Sequence, residues 1–363
     1  MIRRRSPGID EKQVRLTGDG LGLSPAEYLA LTQKLVEAAG VTPDTYARGG
    51  AIEELESRFA RTLGKERAIF MPTGTLANHL AVRTLSGGRG RVAVQEQSHL
   101  YQDSGDCVQT LSGRPLMPLA PGRASFTADE LNRLLDATRT GRVETHVTVV
   151  SVETPVRRAA GRVFDPAELK RIVALARQED IALHLDGARL FLQAACSGAS
   201  VASLAKPFDT VYVSLYKYFN APSGAILAGP RRIIDGMYHE RRMFGGSLAQ
   251  AWPLALVAGH FLEGFTERYA KAVAASEKWF ARLDAHEALH VERIPDGTNL
   301  AYVKVSGVGP RAFRETLLRQ GIELGLPGRN GAFTVAINET FTRRSPKDLA
   351  DSLTAAAVPT RSP

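Results

Sequence analysis

Two polar residues follow short apolar runs at positions where they could act together. The run Ile181–Leu185 leads directly to Asp186, and the run Thr210–Ser214 is followed by Lys217. Both runs are too short for a helix and match buried strands. If the two strands are parallel neighbours joined by a crossover, their carboxyl ends meet at one edge of a sheet, where open α/β sheets bind ligands. The sequence therefore predicts that Asp186 and Lys217 face one crevice.

This pair suggests a specific chemistry. A lysine desolvated at a sheet edge can lose its proton and attack an aldehyde, and pyridoxal phosphate is the common biological aldehyde that requires a lysine Schiff base. Its ring withdraws electrons only while the ring nitrogen stays protonated, which calls for a facing carboxylate. Lys217 is the candidate for the Schiff base and Asp186 for the carboxylate. The alternative is an aspartate at a strand end and a solvated lysine, neither with a catalytic role.

A second pattern could bind an anion. The predicted strand Arg67–Met71 is followed at once by a small-residue turn, Thr73–Thr75, and then by a predicted helix. Backbone N–H groups, hydroxyls and the positive end of the helix dipole at such a start attract an anion. We expect Thr73, Gly74 and Thr75 to form a phosphate site, although threonine at this position can also simply cap a helix.

Two further polar residues follow predicted strands. The strand Arg91–Gln95 continues into a predicted loop that carries His99, whose ring could stack on a planar ligand or move a proton near neutral pH. The alternative is a hydrogen-bonded histidine without catalytic interest. The strand Val147–Val152 ends in Glu153, so another carboxylate lies past a strand end.

The elements around these residues alternate between helix and strand. In the helix predicted from Ala51, four apolar residues share one face, and Gly64 ends it; they are Ile52, Leu55, Phe59 and Leu63. A second helix begins at Asp165-Pro166, with Glu168 placed for a capping box. Later come a strand at Gly224–Gly229, which can turn back along its neighbour, and an apolar helix at Ser247–Gly264 interrupted by Pro253.

Composition sets broad limits on the class of protein. With 363 residues and 44% apolar content, the chain can bury a sizeable core and divide into two domains. No apolar run approaches the roughly 20 residues that a membrane helix needs, and Met1–Asp10 lacks the hydrophobic segment of a secretory signal. We expect a cytoplasmic protein without a membrane partner. Cys107 and Cys196 are expected to be free, buried thiols, and no metal site is predicted.

The net charge of +8 raises the question of nucleic acid. The basic residues are dispersed as small doublets, and no aromatic-interleaved basic stripe or zinc-finger spacing is present. Attraction to anionic small molecules explains the charge as well. We therefore expect a small-molecule ligand and no nucleic-acid partner.

Taken in order, these pieces resemble the threonine aldolase and β-eliminating lyase family of fold-type-I pyridoxal-phosphate enzymes. The likeness extends from about Tyr46 to Ile337 and depends on the joint order of its motifs. The motifs are Leu63-Gly64-Lys65-Glu66, Ala68-Ile69-Phe70-Met71-Pro72-Thr73-Gly74-Thr75, Ser98-His99, His184-Leu185-Asp186-Gly187-Ala188-Arg189, Ser214-Leu215-Tyr216-Lys217, Ala221-Pro222-Ser223-Gly224 and Phe244-Gly245-Gly246.

The resemblance implies an α/β fold of the aspartate-aminotransferase type. A mostly parallel sheet is expected between layers of helices, with a smaller C-terminal α+β domain. The domains it predicts are an N-terminal segment (1–45), a large cofactor-binding domain (46–262) and a small domain (263–363). It also implies a homodimer or homotetramer with shared active sites.

Site residues follow from the same resemblance. Lys217 is expected to hold pyridoxal phosphate as a Schiff base, and Asp186 to bind its ring nitrogen. The other cofactor contacts implied are Arg189 at the ring hydroxyl, His99 on the ring face, and Thr73, Gly74, Thr75 and Arg242 at the phosphate. On the substrate side the candidates are Tyr46, which closes the site, Glu153 and Arg157.

The chain departs from the family pattern on the substrate side. Glu153-Thr154-Pro155-Val156 stands where these enzymes usually have Glu-Asn-Thr-His, so the histidine that acts on the substrate hydroxyl is missing. No arginine near Phe333–Val335 matches the usual carboxylate clamp. Our hypothesis is that Arg157 or Arg158 replaces it through bidentate contact.

The activity implied is cleavage of a β-hydroxy-α-amino acid, such as L-threonine or L-allo-threonine, to glycine and an aldehyde, with His99 or a water held by it as the base. Two alternatives stay open. One is β-elimination of a C–S or C–O bond, or another carbanion reaction on the same cofactor. The other is a protein that binds the cofactor or a nucleic acid without catalysis.

Overall fold

The computed structural model describes residues 12–88 and 90–358. The segment Met1–Asp10, for which no secretory signal is predicted, lies outside these residues. The described helices are α1 (Pro25–Ala39), α2 (Gly50–Leu63), α3 (Gly74–Leu85), α4 (His99–Gln102), α5 (Cys107–Ser112), α6 (Ala128–Arg139), α7 (Pro166–Gln178), α8 (Leu190–Ser197), α9 (Val201–Ala205), α10 (Arg231–Ile234), α11 (Met237–Met243), α12 (Trp252–Leu262), α13 (Phe265–Asp284), α14 (Pro310–Arg319) and α15 (Pro346–Ala356).

The strands and two short 3₁₀ turns complete the described elements. The turns span Arg157–Ala159 and Glu339–Arg343. The strands are β1 (Val14–Arg15), β2 (Arg67–Met71), β3 (Arg91–Gln95), β4 (Leu116–Leu119), β5 (Val147–Glu153), β6 (Ala182–Asp186), β7 (Thr210–Ser214), β8 (Ala225–Gly229), β9 (Leu289–Arg293), β10 (Leu300–Val305), β11 (Ile322–Glu323) and β12 (Phe333–Ala336).

The chain forms two compact units. The larger contains Val41–Tyr216 and Ala221–Gly259. The smaller contains Lys217–Asn220 together with the described parts of Met1–Gly40 and His260–Pro363. The division predicted from the sequence, at 45/46 and 262/263, stays a prediction.

The larger unit is built on a seven-stranded sheet with the order β2-β8-β7-β6-β5-β3-β4. Neighbours from β4 to β7 pair in parallel, whereas β8 runs antiparallel to both β7 and β2. The prediction that the strand after Lys217 turns back along its neighbour is therefore confirmed. Because β5, β6 and β7 are adjacent and parallel, their carboxyl ends lie at one edge of the sheet.

Helix α3 lies across the middle of this sheet and contacts β5, β6, β7 and β8. Ala77, Leu80 and Ala81 of α3 pack on Ile69 and Leu227 of the sheet. This burial holds the helix over the central strands, since removing apolar surface from water is the main force that fixes a helix on a sheet. The start of α3 is thereby positioned relative to the strand ends.

The free edge of β2 is closed by two side chains. The Phe70 N–H donates to Glu56 Oε1 at 2.7 Å, and Arg241 Nη1 donates to the Phe70 carbonyl at 2.6 Å. An exposed strand edge invites pairing with another chain, and these two side chains take the place of a neighbouring strand at Phe70. Burial raises the pKa of Glu56 to about 7, although the hydrogen bond from Phe70 and the charge of Arg241 oppose the shift.

The smaller unit contains the three-stranded antiparallel sheet β12-β10-β9 and a parallel pair, β1 with β11. Its core includes the buried aromatic residues Trp279, Phe280, Phe313 and Phe333. After the long helix, the sequence predicts a strand (Leu300–Val305), a helix (Arg311–Arg319), a strand (Ala332–Ile337) and a helix (Pro346–Ala357). The structure has these elements as β10, α14, β12 and α15, and it adds β9 and β11, which the sequence did not predict. The pairing of β1 places the first described strand in the same unit as the C-terminal elements, whereas the sequence treats 1–45 as a separate segment.

Several local predictions are confirmed by the structure. The apolar residues predicted on one face of α2 are all buried. Gly64, the predicted stop, has φ of 64° in the left-handed region that glycine adopts without steric cost. Asp165 caps α7 by accepting the N–H groups of Ala167 and Glu168.

Other local predictions were wrong. His99 begins the short helix α4 instead of lying in a loop, because Ser98 accepts the N–H of Tyr101 and caps a helical turn. Pro253 does not interrupt a helix, since α12 starts at Trp252 and a proline is tolerated in the first turn. Glu168 does not complete a capping box on its own helix and instead accepts the N–H of Ala128 at 2.7 Å. Neither Cys107 nor Cys196 is part of a disulfide, but only Cys107 is buried, while Cys196 is half-buried.

None of the helices in the described residues combines the length and the apolarity that crossing a bilayer demands.

Candidate active site

Two carboxylates lie side by side at the carboxyl edge of the central sheet. Glu153 is the last residue of β5 and Asp186 the last of β6, and the strands pair these two residues in register. Their exposed fractions are only 4% and 3%. The Thr154 N–H donates to the Asp186 carbonyl at 3.2 Å, which continues the pairing beyond the strands. Two neighbouring carboxyl groups are therefore buried together. This arrangement is unusual in proteins unless it has a function or the two groups share a proton.

Each oxygen of Glu153 accepts a backbone N–H. Oε2 accepts from His99 at 2.6 Å, and Oε1 accepts from Arg157 at 2.9 Å. Burial and, next in size, the negative charge of Asp186 raise the pKa of Glu153 to about 7, against the opposing effects of the two backbone donors and the charge of Arg189. Glu153 can thus take up a proton near neutral pH.

Asp186 is held by two donors within the larger unit. Its Oδ2 accepts from Asn78 Nδ2 at 2.6 Å, and its Oδ1 accepts from the Ala188 N–H at 3.1 Å. Hydrogen bonds of this kind stabilise the ionised form of a carboxyl group. Sequence reasoning missed Asn78. The signal that could have found it is its spacing, because Asn78 follows Gly74 by one helical turn and so shares a face with the predicted phosphate site.

The start of α3 has the features of an anion site. Thr73 is the N-cap, and its side chain accepts the Leu76 N–H at 3.2 Å. At Gly74 an added Cβ would lie 2.1 Å from the Tyr212 hydroxyl, so glycine leaves the room that the Tyr212 side chain of β7 occupies at this turn. The first N–H groups of a 12-residue helix are available to an anion, and the helix dipole favours negative charge there.

His99 has a defined hydrogen-bonding arrangement. Ser104 Oγ donates to the His99 carbonyl at 3.0 Å and lies 3.4 Å from His99 Nδ1. A hydroxyl oxygen placed in this way can accept a hydrogen bond from a protonated Nδ1. In the tautomer with the proton on Nδ1, Nε2 is an acceptor, which is what a general base requires.

Lys217 is the third residue beyond Ser214, where β7 ends, and its side chain is half-buried. The neighbouring strand β6 runs parallel to β7 and pairs Asp186 with Tyr212. Residues Lys217–Asn220 group with the smaller unit.

The two arginines after β5 differ in their contacts. Arg158 donates to both oxygens of Asp103, at 3.0 and 2.6 Å, so its guanidinium already has a bidentate carboxylate partner. Arg157 is exposed, and its backbone is anchored to Glu153. Of the two candidates for a substrate clamp, Arg157 is therefore the one whose guanidinium is not occupied by Asp103.

Tyr46 and Arg242 form a separate group with Tyr238. The Arg242 guanidinium lies 5.0 Å from the centre of the Tyr46 ring, and Tyr46 is 44% exposed. A hydrogen bond from Arg242 lowers the pKa of the Tyr238 phenol, and Arg48 adds to this effect. The roles predicted for Tyr46 on the substrate side and for Arg242 at the phosphate stay predictions.

The buried acid at the strand edge and the glycine-dependent helix start fit the two ends of pyridoxal phosphate. The Asp186 carboxylate suits a protonated ring nitrogen, and the start of α3 suits a phosphate dianion. Asn78 joins these two places, because it belongs to α3 and donates to Asp186.

Comparison with known proteins agrees with this fit. The family model described as β-eliminating lyase matches residues 29–306. Aldolase vrtJ of Penicillium aethiopicum is 29% identical, covering 81% of this chain and 76% of its own. A low-specificity L-threonine aldolase of Eremothecium gossypii is 26% identical, with 81% and 78% covered. Alanine racemase TOXG of Cochliobolus carbonum is 28% identical, with 59% and 55% covered.

A solved structure gives the same result for the fold. The crystal structure of a putative L-allo-threonine aldolase from Listeria monocytogenes EGD-E superimposes with a TM-score of 0.78 at 25% identity and covers 96% of each chain. The predicted fold, a mostly parallel sheet between helices of the fold-type-I class, is confirmed. The chain belongs to the threonine aldolase and β-eliminating lyase family, and its cofactor is the pyridoxal phosphate that the sequence predicted.

Proposed function

We propose that this protein cleaves the Cα–Cβ bond of a β-hydroxy-α-amino acid, such as L-threonine or L-allo-threonine, to give glycine and an aldehyde. The observation that carries the proposal is the arrangement of His99. Its backbone N–H is held by the buried Glu153 at 2.6 Å, and its Nδ1 lies 3.4 Å from the Ser104 hydroxyl, so we assign the proton transfer to Nε2. Aldol cleavage needs a base for the β-hydroxyl proton, and the relatives named as aldolases support that reaction.

The cofactor residues act by binding and orientation. When bound, pyridoxal phosphate supplies an electron sink for the bond broken at Cα. Lys217 attaches the cofactor through its amine, and Asp186 keeps a proton on the ring nitrogen. Thr73, Gly74 and Thr75 hold the phosphate at the start of α3, Arg189 lies at the ring hydroxyl, and Arg242 assists at the phosphate.

The substrate residues follow from the contacts of Glu153. Arg157 binds the substrate carboxylate through its exposed guanidinium. Glu153 anchors this residue by accepting its backbone N–H. His99 Nε2 accepts the proton of the β-hydroxyl, and Tyr46 closes the site. Both oxygens of Glu153 already accept backbone N–H groups, so Glu153 acts on the substrate through His99 and Arg157.

A second candidate is β-elimination from a cysteine- or serine-like substrate, or another carbanion reaction on the same cofactor. It is favoured by the substrate-side departure at Thr154-Pro155-Val156, which removes the usual second histidine. A racemase among the relatives also indicates that this family supports more than one outcome at Cα.

The products separate these candidates. The purified protein, loaded with pyridoxal phosphate, is incubated with L-threonine, L-allo-threonine, L-serine and L-cysteine. Glycine with an equal amount of aldehyde is the expected result, whereas pyruvate with ammonia would establish elimination instead. If none of the four substrates gave either product pair, aldol cleavage of these substrates would be excluded.

The role of Lys217 needs a matched control. Lys217→Ala should abolish both turnover and the visible absorbance of the bound cofactor. Lys206→Ala, at an exposed position at the end of α9, should change neither. An unchanged absorbance band in Lys217→Ala would contradict the assignment.

Two further properties are part of the proposal. We infer a cytoplasmic homodimer or homotetramer with shared active sites and without a nucleic-acid partner. The mass of the protein in solution, measured by light scattering, tests the assembly. A salt-dependent shift of DNA would contradict the absence of a nucleic-acid partner.

A further inference from the structure

A line of buried polar side chains extends from the central sheet to Asp186. Thr210 Oγ1 lies 2.8 Å from His184 Nδ1, and His184 Nε2 lies 2.9 Å from Asn78 Oδ1. Asn78 Nδ2 then lies 2.6 Å from Asp186 Oδ2. Thr210, His184 and Asn78 are each 0% exposed. Buried polar groups of this kind are retained only when each has a partner, and here the partners form a single series.

The protons in this series can be assigned by starting from the Asp186 carboxylate. An ionised carboxylate only accepts hydrogen bonds, so Asn78 must present its NH₂ group to Asp186 and its carbonyl oxygen to His184. The His184 Nε2 must then carry a proton. Burial lowers the pKa of His184 to about 4, so the ring is neutral and its Nδ1 is an acceptor. The Thr210 hydroxyl therefore donates to Nδ1, and all three donors point toward Asp186.

The common direction of these three hydrogen bonds affects the one that is made to Asp186. Hydrogen bonds aligned in one sense polarise each other, which strengthens the last one, and the last one is made to the carboxylate. The series therefore ends in a donor that is itself held by buried partners, and this donor keeps the Asp186 carboxylate in one orientation.

We propose that Asn78 is a positioning residue for the cofactor: its amide, held by His184, orients the Asp186 carboxylate for the ring nitrogen of pyridoxal phosphate. Asn78 also stands one turn after Gly74 on α3, so the same helix that starts at the phosphate site fixes the acid at the ring. The inference rests on the proposed role of Asp186 and on no particular substrate.

The test measures cofactor binding to the apo-protein with two ligands. One is pyridoxal phosphate, and the other is its 1-deaza analogue, in which carbon replaces the ring nitrogen. Asn78→Asp keeps the size of the side chain but replaces the donor by an acceptor, so two carboxylates then compete for one proton. Asn132→Asp, the same change at an exposed position on α6, is the control.

The expected result is a selective loss. Asn78→Asp should raise the Kd for pyridoxal phosphate about 10- to 100-fold, as the loss of a supporting partner does at other sites, while the Kd for the analogue changes less than about 2-fold. Asn132→Asp should change neither. An equal rise in Kd for both ligands would show that Asn78 only supports the structure. No rise in Kd for either ligand would show that Asn78 has no role in cofactor binding. Either result overturns the proposal.

A second variant guards against misfolding. If Asn78→Asp does not give a cooperative thermal unfolding transition, Asn78→Ala is measured in its place, because alanine suits a helix and removes the donor without adding charge. The same selective rise is expected and the same two results overturn the proposal. Because no substrate is used, a protein that gives no glycine from threonine but shows the selective rise refutes only the proposed reaction.

Discussion

The Glu153 carboxylate accepts the backbone N–H of His99 at 2.6 Å, and its other oxygen accepts the backbone N–H of Arg157 at 2.9 Å. One buried acid therefore fixes the main chain at both residues proposed to act on the substrate. A side chain that orients two functional residues can affect activity strongly without touching the substrate, since small displacements at a reacting centre are costly.

Replacing Glu153 by glutamine should damage catalysis more than cofactor binding. Glutamine has one acceptor oxygen, so its NH₂ group must face either the His99 or the Arg157 N–H, where two donors repel. We expect kcat/KM to fall by about 10- to 100-fold, with the Kd for pyridoxal phosphate unchanged within about 2-fold. Steady-state kinetics and equilibrium dialysis measure the two quantities. Glu144→Gln, at an exposed position, should alter neither.

The same substitution tests the pKa of Glu153. Its pKa is raised to about 7, so above that pH the ionised carboxylate accepts both N–H groups, and below it a proton occupies one oxygen. In the wild-type protein kcat/KM should therefore decrease as the pH falls through 7. In Glu153→Gln this decrease should be lost, and its persistence unchanged would show that another group titrates.

Arg157 and Arg158 should respond differently to removal. Arg157→Ala should raise the KM for the amino acid about 10-fold or more, because a bidentate contact to a carboxylate is lost. Arg158→Ala should leave KM nearly unchanged, since the Arg158 guanidinium is already paired with Asp103. Equal values of KM in the wild type and Arg157→Ala would contradict the assignment of Arg157 as the residue that binds the substrate carboxylate.

Gly74 should not tolerate even alanine. A Cβ there would lie 2.1 Å from the Tyr212 hydroxyl, so the start of α3 or the side chain of Tyr212 must move. We expect Gly74→Ala to destabilise the apo-protein by about 1–3 kcal/mol and to weaken binding of pyridoxal phosphate. Gly88→Ala is the matched control, because nothing lies within 4 Å of the added carbon. Chemical denaturation measures the free energy of unfolding of both variants. Equal values for Gly74→Ala and Gly88→Ala would contradict a steric conflict with Tyr212.

Glu56 should make stability depend on pH. Its pKa is about 7 in the folded protein, above the ordinary value of 4.5 for a glutamate, so the folded state binds the proton more tightly. The contribution of Glu56 to the free energy of unfolding, roughly 1–3 kcal/mol, is fully present below pH 4.5 and is lost as the pH rises through 7. Glu56→Gln can keep the acceptor for Phe70 but does not titrate.

The comparison that isolates Glu56 is the difference in unfolding free energy between Glu56→Gln and the wild type. This difference should change in favour of Glu56→Gln between pH 5 and pH 8. A difference that is constant over this range would exclude a raised pKa at Glu56.

Much of the fold and part of the candidate site could be predicted because they depend on local pattern. Short apolar runs predicted β5, β6 and β7, and the polar residues after them predicted which side chains lie at the sheet edge. The small residues Thr73–Thr75 predicted a turn followed by a helix, and in the structure the helix begins within this turn, at Gly74. Local pattern failed at His99, where the hydroxyl of Ser98 caps a helical turn that the composition of the segment does not indicate.

By itself, the sequence determined the alternation of strands and helices, the polar residues at the strand ends and the family, because periodicity and motif order are properties of neighbouring residues. Only the tertiary structure decided which side chains meet. Asn78 reaches Asp186 over 108 positions, and Glu153 reaches His99 over 54. Such contacts depend on strand order, on register and on the placement of α3 over the sheet, and these result from packing of the whole unit.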